Sequence, residues 1–225
     1  MRTKLMLWGT AAVLALGSTA AMASVVVVKS LGPSSKAYPP GKTLPETAKI
    51  TLQGGDVVTL LGPGSAKTLR GPGNFDTKQV ALASSSARRG RFGALRASEV
   101  AKNPSIWDID VSQSGKVCFS SKTKLQVWRP VSEDAVTVQI RKPDGSVEPL
   151  TWASGTAMTE WPNGLAIKSG EKYQVNWPGS GDKSSLEFVA VDAPVDLVGT
   201  AQVLIANGCN NQLDLLVASA GKSAK

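Results

Sequence analysis

Two aspartates, Asp108 and Asp110, are the residues whose type and spacing most readily suggest chemistry. They lie two positions apart, and alternate residues of a strand share a face, so both carboxylates would point the same way. Such a pair can contribute to a calcium site or act as acid and base across a glycosidic bond. A calcium site needs further oxygen ligands that this stretch does not supply, and a solvated pair guarding a sheet edge uses the same residues. Glu133, Asp134 and Glu160 add no pattern. The chain contains no histidine. That removes Ser-His-Asp and Cys-His catalysis, histidine-ligated zinc and histidine acid–base chemistry. Ser84, Ser85 and Ser86 stand beside no base, and Ser112 and Ser114 near Lys116 read as a turn entering a strand. The expectation is a non-enzymatic protein with no cofactor and no metal site.

Binding chemistry is the alternative. Arg88, Arg89, Arg91 and Arg96 could hold phosphate or carboxylate groups, although a solvated basic linker has the same composition. Trp107, Trp128, Trp152, Trp161 and Trp177 all fall between residues 105 and 192. Exposed indoles stack on sugars and anchor protein interfaces. Trp128, Trp161 and Trp177 each lie close to a following proline near an expected strand end, which fits a rim or a packed corner equally. The expected binding surface therefore comprises the four arginines with Trp107, Trp128, Trp161 and Trp177. A Lys67-Thr68 pair follows a Gly-rich turn, but a phosphate-binding loop needs glycine where Leu61 and Ala66 stand.

The elements that position these residues begin after residue 23. Arg2 and Lys4, the apolar run 5–16 and Ala21-Met22-Ala23 have the layout of an export signal cleaved near Ala23-Ser24. The apolar run is short for a membrane span, an uncleaved anchor being the other reading. No second long apolar segment follows, so the mature chain is expected to be periplasmic or secreted, with no transmembrane segment. Loss of Arg2 and Lys4 takes the formal charge from +8 to +6. The basic residues are scattered, so attraction to anionic envelope surfaces is expected and nucleic acid is not. Cys118 and Cys209 are an isolated pair, which in an oxidising compartment forms one disulfide; two buried free thiols are the alternative.

Residues 24–80 read as a small β-domain, with strands at 24–29, 49–52, 57–61 and 67–70 separated by Gly- and Pro-set turns. Residues 81–104 form a basic linker. Residues 105–192 carry strands at 106–111, 116–120, 124–128, 135–141, 147–152, 156–161, 172–177 and 185–191, a spacing that suggests a sandwich. Pro143-Asp144-Gly145 is a hairpin turn. Residues 193–225 switch to helical period, with Leu197, Ala201, Leu204 and Ile205 before a break at Asn207-Gly208 and Leu213, Leu216 and Val217 after it. Asp192 is the expected cap and Pro194 suits a first turn. The whole is mainly β: a small β-meander domain, a β-sandwich and a C-terminal helical hairpin, which a Cys118–Cys209 bond would staple to the sandwich.

Two resemblances follow. Ile50–Leu52, Gly55-Asp56, Val57–Leu61 and Lys67–Arg70 together resemble the FecR-type periplasmic β-domain of envelope signalling proteins. The usual anti-sigma bundle and membrane helix have no counterpart, so direct anti-sigma action is not implied. Leu165 followed by Gly170-Glu171-Lys172-Tyr173-Gln174-Val175 is similar to the tyrosine corner of immunoglobulin-like sandwiches, in which Tyr173 bonds to backbone a few residues upstream. The resemblances imply interaction or sensing in the cell envelope through protein–protein recognition. The partner would be an envelope protein; the alternative is an anionic glycan or cell-wall polymer bound by the tryptophans.

Overall fold

Alternating valines make the first strand a two-sided core element. In β1 (Ser24–Leu31), Val25 and Val27 face one way and Val26 and Val28 the other, and all four are buried. The computed structural model describes residues 24–81, 103–120, 124–131, 133–179, 182–194 and 196–222. The proposed signal segment and Arg88, Arg89, Arg91 and Arg96 lie outside them.

β1 is followed by a single 3₁₀ turn (Pro33–Lys36) and by β2 (Thr43–Pro45), β3 (Lys49–Leu52), β4 (Val57–Leu61), β5 (Ala66–Arg70) and β6 (Gly73–Asp76). β2, β1, β4 and β5 form an antiparallel sheet in that order, and β3 pairs with β6. Val25, Val27, Ile50, Leu52, Val58 and Leu60 fill the space between the two sheets, closed by Val80 of the short α1 (Lys78–Ala81). β2 and β6 are additions to the strands expected from sequence. β2 ends in Pro45 at a sheet edge, where a missing N–H costs no ladder bond, so its local signal is weak.

Asp56 fixes the turns of this unit. Its buried carboxylate accepts hydrogen bonds from Ser34 N (2.9 Å) and Gln53 N (2.6 Å). Burial pushes the carboxyl pKa up, but bonds from the Ser34 hydroxyl, Ser34 N–H and Gln53 N–H outweigh it and hold the group below its ordinary value. Gly32 has φ +100°, and a Cβ there would lie 2.5 Å from Asp56 Oδ1, so only glycine lets the backbone pass.

The second β-unit contains β7 (Ile109–Asp110), β8 (Gly115–Phe119), β9 (Gln126–Trp128), β10 (Val136–Arg141), β11 (Val147–Trp152), β12 (Met158–Glu160), β13 (Lys172–Asn176) and β14 (Lys183–Ala190). One sheet runs β11-β10-β13-β14-β8 and the other β12-β9-β7. β8 joins β14 in parallel, as does β7 with β9; the other pairs are antiparallel. Trp152, Trp161, Tyr173 and Phe188 share one core with Ile109, Val127, Ile140 and Val175. Trp161, Tyr173 and Phe188 pack mutually edge-on, with centroids 5.2–5.9 Å apart. The strand expected at 106–111 is shortened to two residues. Local bonds compete with the ladder there, from Trp107 N to Ser105 Oγ and from Asn103 Nδ2 to Asp108 O.

α2 (Leu197–Asn207) and α3 (Asn210–Lys222) form the hairpin. The N-cap is Asp196 rather than Asp192, with Gly199 N donating to Asp196 Oδ1 at 2.7 Å. Pro194 precedes the helix instead of starting it. At the far end Gly208 adopts φ +73°, Gly208 N donates to Ile205 O and Cys209 N to Leu204 O, the paired bonds of a Schellman stop. Cys209 then forms a disulfide with Cys118 on β8, with Cα atoms 5.9 Å apart.

The hairpin does more than decorate the sandwich. Val198, Ala201, Leu204, Leu213, Leu216 and Ala220 share a core with Val26, Val28 and Leu61 of the first sheet as well as with Cys118. The helices therefore bind both β-units. Gln212 completes the join. Its buried amide accepts from Cys118 N at 2.7 Å and donates to Cys118 O at 2.8 Å and Ile106 O at 2.6 Å. β8 is an edge strand, and the amide serves it as a single rung of a missing neighbour.

Candidate functional site

Where the three-stranded sheet meets α3, the packing leaves a cleft of about 460 Å³, within the ~300–1,000 Å³ that ligand pockets occupy. Helical period places its floor. Asn211, Asp214, Leu215 and Ala218 recur at i, i+3, i+4 and i+7 on one face of α3, while Leu213, Leu216 and Ala220 on another face enter the core. Opposite stand Asp108 and Asp110, with Trp128 at the end of β9 and Pro130 beyond it. Asp108 lies just before β7 rather than within it, yet both aspartates line the same cleft.

The acids differ in their surroundings. Burial pushes the Asp108 carboxyl above its ordinary range, against a weaker pull from the Ser105 N–H. Asp110 is occupied by its own turn: Oδ1 accepts from Ser112 N (2.9 Å) and Ser112 Oγ (2.6 Å), and Oδ2 from Gln113 Nε2 (2.8 Å). A Ser-Asp contact of 2.6 Å invites reading Ser112 as an activated nucleophile. The same pair of bonds, at the same distances, recurs between Ser146 and Asp144 in the exposed β10–β11 hairpin. It is turn chemistry at both places. Asp214 adds a third carboxylate from α3. Lys116 also lines the cleft, with its ammonium 3.5 Å from Glu187. Among the described residues no group of three or more His, Cys, Asp or Glu could hold a metal ion.

The tryptophans do not form the open surface expected of them. Trp161 is 7% exposed in the sandwich core, donating its indole N–H to Leu165 O at 2.8 Å. Trp128 is 5% exposed, although it is among the residues that line the cleft. Trp177 stacks on the fully buried Trp152 with centroids 6.2 Å apart. Trp107 is half-buried against the core shared with the helices. The large apolar area of an indole favours burial wherever its N–H finds a carbonyl, as with Trp161. The Tyr173 hydroxyl lies 3.0 Å from Ala166 O and 2.7 Å from Glu171 Oε2, so its one proton has two acceptors upstream.

The α3 contribution to the cleft was not anticipated from sequence. Its signal was present: Asn211, Asp214, Leu215 and Ala218 form one stripe of a helix whose other side is apolar. A second, wider groove of about 670 Å³ runs past Ser24, Pro63 and the start of α2. Two of its polar side chains are committed, Asp196 to the helix cap and Gln202 Nε2 to Thr43 Oγ1 at 2.9 Å. No helix among the described residues is long and apolar enough to cross a membrane. Comparison with protein-family models, curated proteins and solved structures finds no match to this chain.

Proposed function

We propose that this is an exported protein of the cell envelope that acts by recognising another protein and is not an enzyme. The observation that carries the reading is the cleft between β7, β9 and α3. Apolar residues line it together with Asp108, Asp110 and Asp214, and the Ser112–Asp110 contact there is a turn rather than an activated nucleophile. Its two sides come from different parts of the fold, so its shape depends on how the sandwich and the hairpin meet. The sequence layout of residues 1–23 and the Cys118–Cys209 bond support export, since disulfides persist in oxidising compartments. The FecR-like and immunoglobulin-like resemblances point the same way, towards β-units that work through their surfaces. Glycan binding by Trp107, Trp128, Trp161 and Trp177 is the weaker reading, because burial of Trp128 and Trp161 removes the flat faces that sugars need.

Site-specific photo-crosslinking in exporting cells tests the proposal. A crosslinking amino acid at Gln113 or Ala218, both exposed on the cleft, is expected to capture one discrete protein. The same group at Lys49 in the first β-unit is expected to capture none. Equal smears from all three positions would remove the reading.

A further inference from the structure

We propose that the cleft receives a lysine or arginine side chain carried on an extended segment of the partner. The inference rests on the recognition reading above and adds the chemistry of what is recognised. Asp108 and Asp110 line the cleft from the sandwich and Asp214 from α3, and Trp128, Pro130, Val117 and Leu215 contribute apolar residues to the same lining. That arrangement suits a long cationic side chain, whose methylene stem lies on apolar groups while its charged head reaches acids. The charge of the remaining cation on the wall, Lys116, is already met by Glu187.

Charge complementarity is local here. The chain as a whole is basic, at +8 with residues 1–23 and +6 without Arg2 and Lys4. Long-range attraction therefore does not bring a cation to this protein, and an acidic cleft on a basic body selects at contact. Asp110 is already oriented by Ser112 and Gln113, so its charge is fixed in place before any partner arrives. Half-buried Asp108 gains more from a neighbouring cation than a fully hydrated carboxylate does.

The test uses the mature chain with its disulfide intact and a fluorescein-labelled pentapeptide alternating valine and arginine. The control peptide replaces each arginine by citrulline, which keeps the shape and loses the charge. Fluorescence anisotropy at low salt is expected to show binding of the arginine peptide that is at least tenfold tighter than the citrulline peptide and weakens as salt rises. Asp108→Asn with Asp214→Asn is expected to erase that difference. Ala218→Trp, an exposed helix position that leaves the acids in place, is expected to block binding by filling the cleft. Asp144→Asn in the β10–β11 turn, whose carboxylate has the same turn bonds as Asp110, is expected to change nothing. Equal binding of the two peptides, undiminished binding by the double variant or by Ala218→Trp, or no binding at millimolar peptide each overturns the proposal. Displacement of the arginine peptide by a neutral N-acetylglucosamine tetramer, with binding that does not weaken as salt rises, overturns it in favour of a glycan. Crosslinking at Ala218 separates the two levels. A captured protein without arginine-peptide binding refutes the cationic ligand and leaves recognition standing, whereas failure of both removes recognition as well.

Discussion

Replacing Gln212 by leucine keeps the side chain's bulk and removes three hydrogen bonds at once. Its amide is bonded to Cys118 N, Cys118 O and Ile106 O, at 2.6–2.8 Å. Cys118 is 0% exposed, so water cannot replace the lost partners on its two backbone groups. Each hydrogen bond contributes a net ~1 kcal/mol, and a buried group left unpaired costs ~1–3 kcal/mol. Allowing for local relaxation, Gln212→Leu should lower stability by about 2–4 kcal/mol, or roughly 4–16 °C in Tm for a chain of this size. Urea unfolding followed by tryptophan fluorescence measures it, with the disulfide oxidised in both proteins so that the cross-link does not confound the comparison. Gln212→Glu sharpens the test. At neutral pH its carboxylate would face two carbonyl oxygens, and on protonation it regains a donor. Its folded pKa is thus raised, and stability should be fullest at low pH and fall as pH rises through that value. A Gln212→Leu midpoint unchanged from wild type, or a Gln212→Glu variant with the wild-type pH response, would show that the amide does not carry the edge of β8.

Reducing the disulfide, or replacing Cys118 and Cys209 together by alanine, should cost about 4–5 kcal/mol on the chain-entropy account of a long closed loop; the separation is 91 residues, and urea unfolding with and without reductant reads the difference. Asp56 has a folded pKa below its ordinary value, so the stability it contributes is present above about pH 4 and is lost as pH falls through the folded value. Thermal melts from pH 2 to 7 should therefore show a shallower acid limb for Asp56→Asn, and parallel curves would contradict the role given to its hydrogen bonds. Burial, followed by the Glu171 hydrogen bond and charge, holds the Tyr173 phenol well above its ordinary value. Its protonated state should persist in the folded protein past pH 10, with the linked stability present below that pH and lost above it; absorbance titration of wild type and Tyr173→Phe distinguishes this phenol. Tyr173→Phe should also cost about 1 kcal/mol through the lost hydroxyl bond, measured in urea at pH 7.

Period-two patterns made the central strands legible. In β10 the sequence VTVQIR buries Val138 and Ile140 and exposes Thr137 and Gln139, and β13 alternates in the same way. The helix stop at Gly208 was equally plain, because the left-handed cap strains residues that carry a Cβ and glycine has none. Starts were less so: Asp192 and Asp196 both suit an N-cap, and only tertiary packing selects the second. The run of valines in β1 announced burial on both faces without naming what would cover them. The cleft was harder still, since it joins Asp108 and Asp110 to Asp214, residues whose proximity depends on the hairpin folding back across β8. Trp128 and Trp161 misled for a related reason. Their neighbouring prolines marked strand ends, but strand ends in a sandwich turn inward as often as they lie at the rim.

The sharing of one core by β1, β4 and the two C-terminal helices has a consequence for biosynthesis. β1 is covered on its outer face by α2 and α3, which are synthesised long after it. Until α2 and α3 arrive, Val26, Val28 and Leu61 present an uncovered apolar patch on a sheet that is otherwise ready to close. The first β-unit is thus a client awaiting α2 and α3, and a holding chaperone would find it through that patch. A chain that stops between β14 and α2 has every strand of the sandwich and a first sheet whose Val26, Val28 and Leu61 stay uncovered.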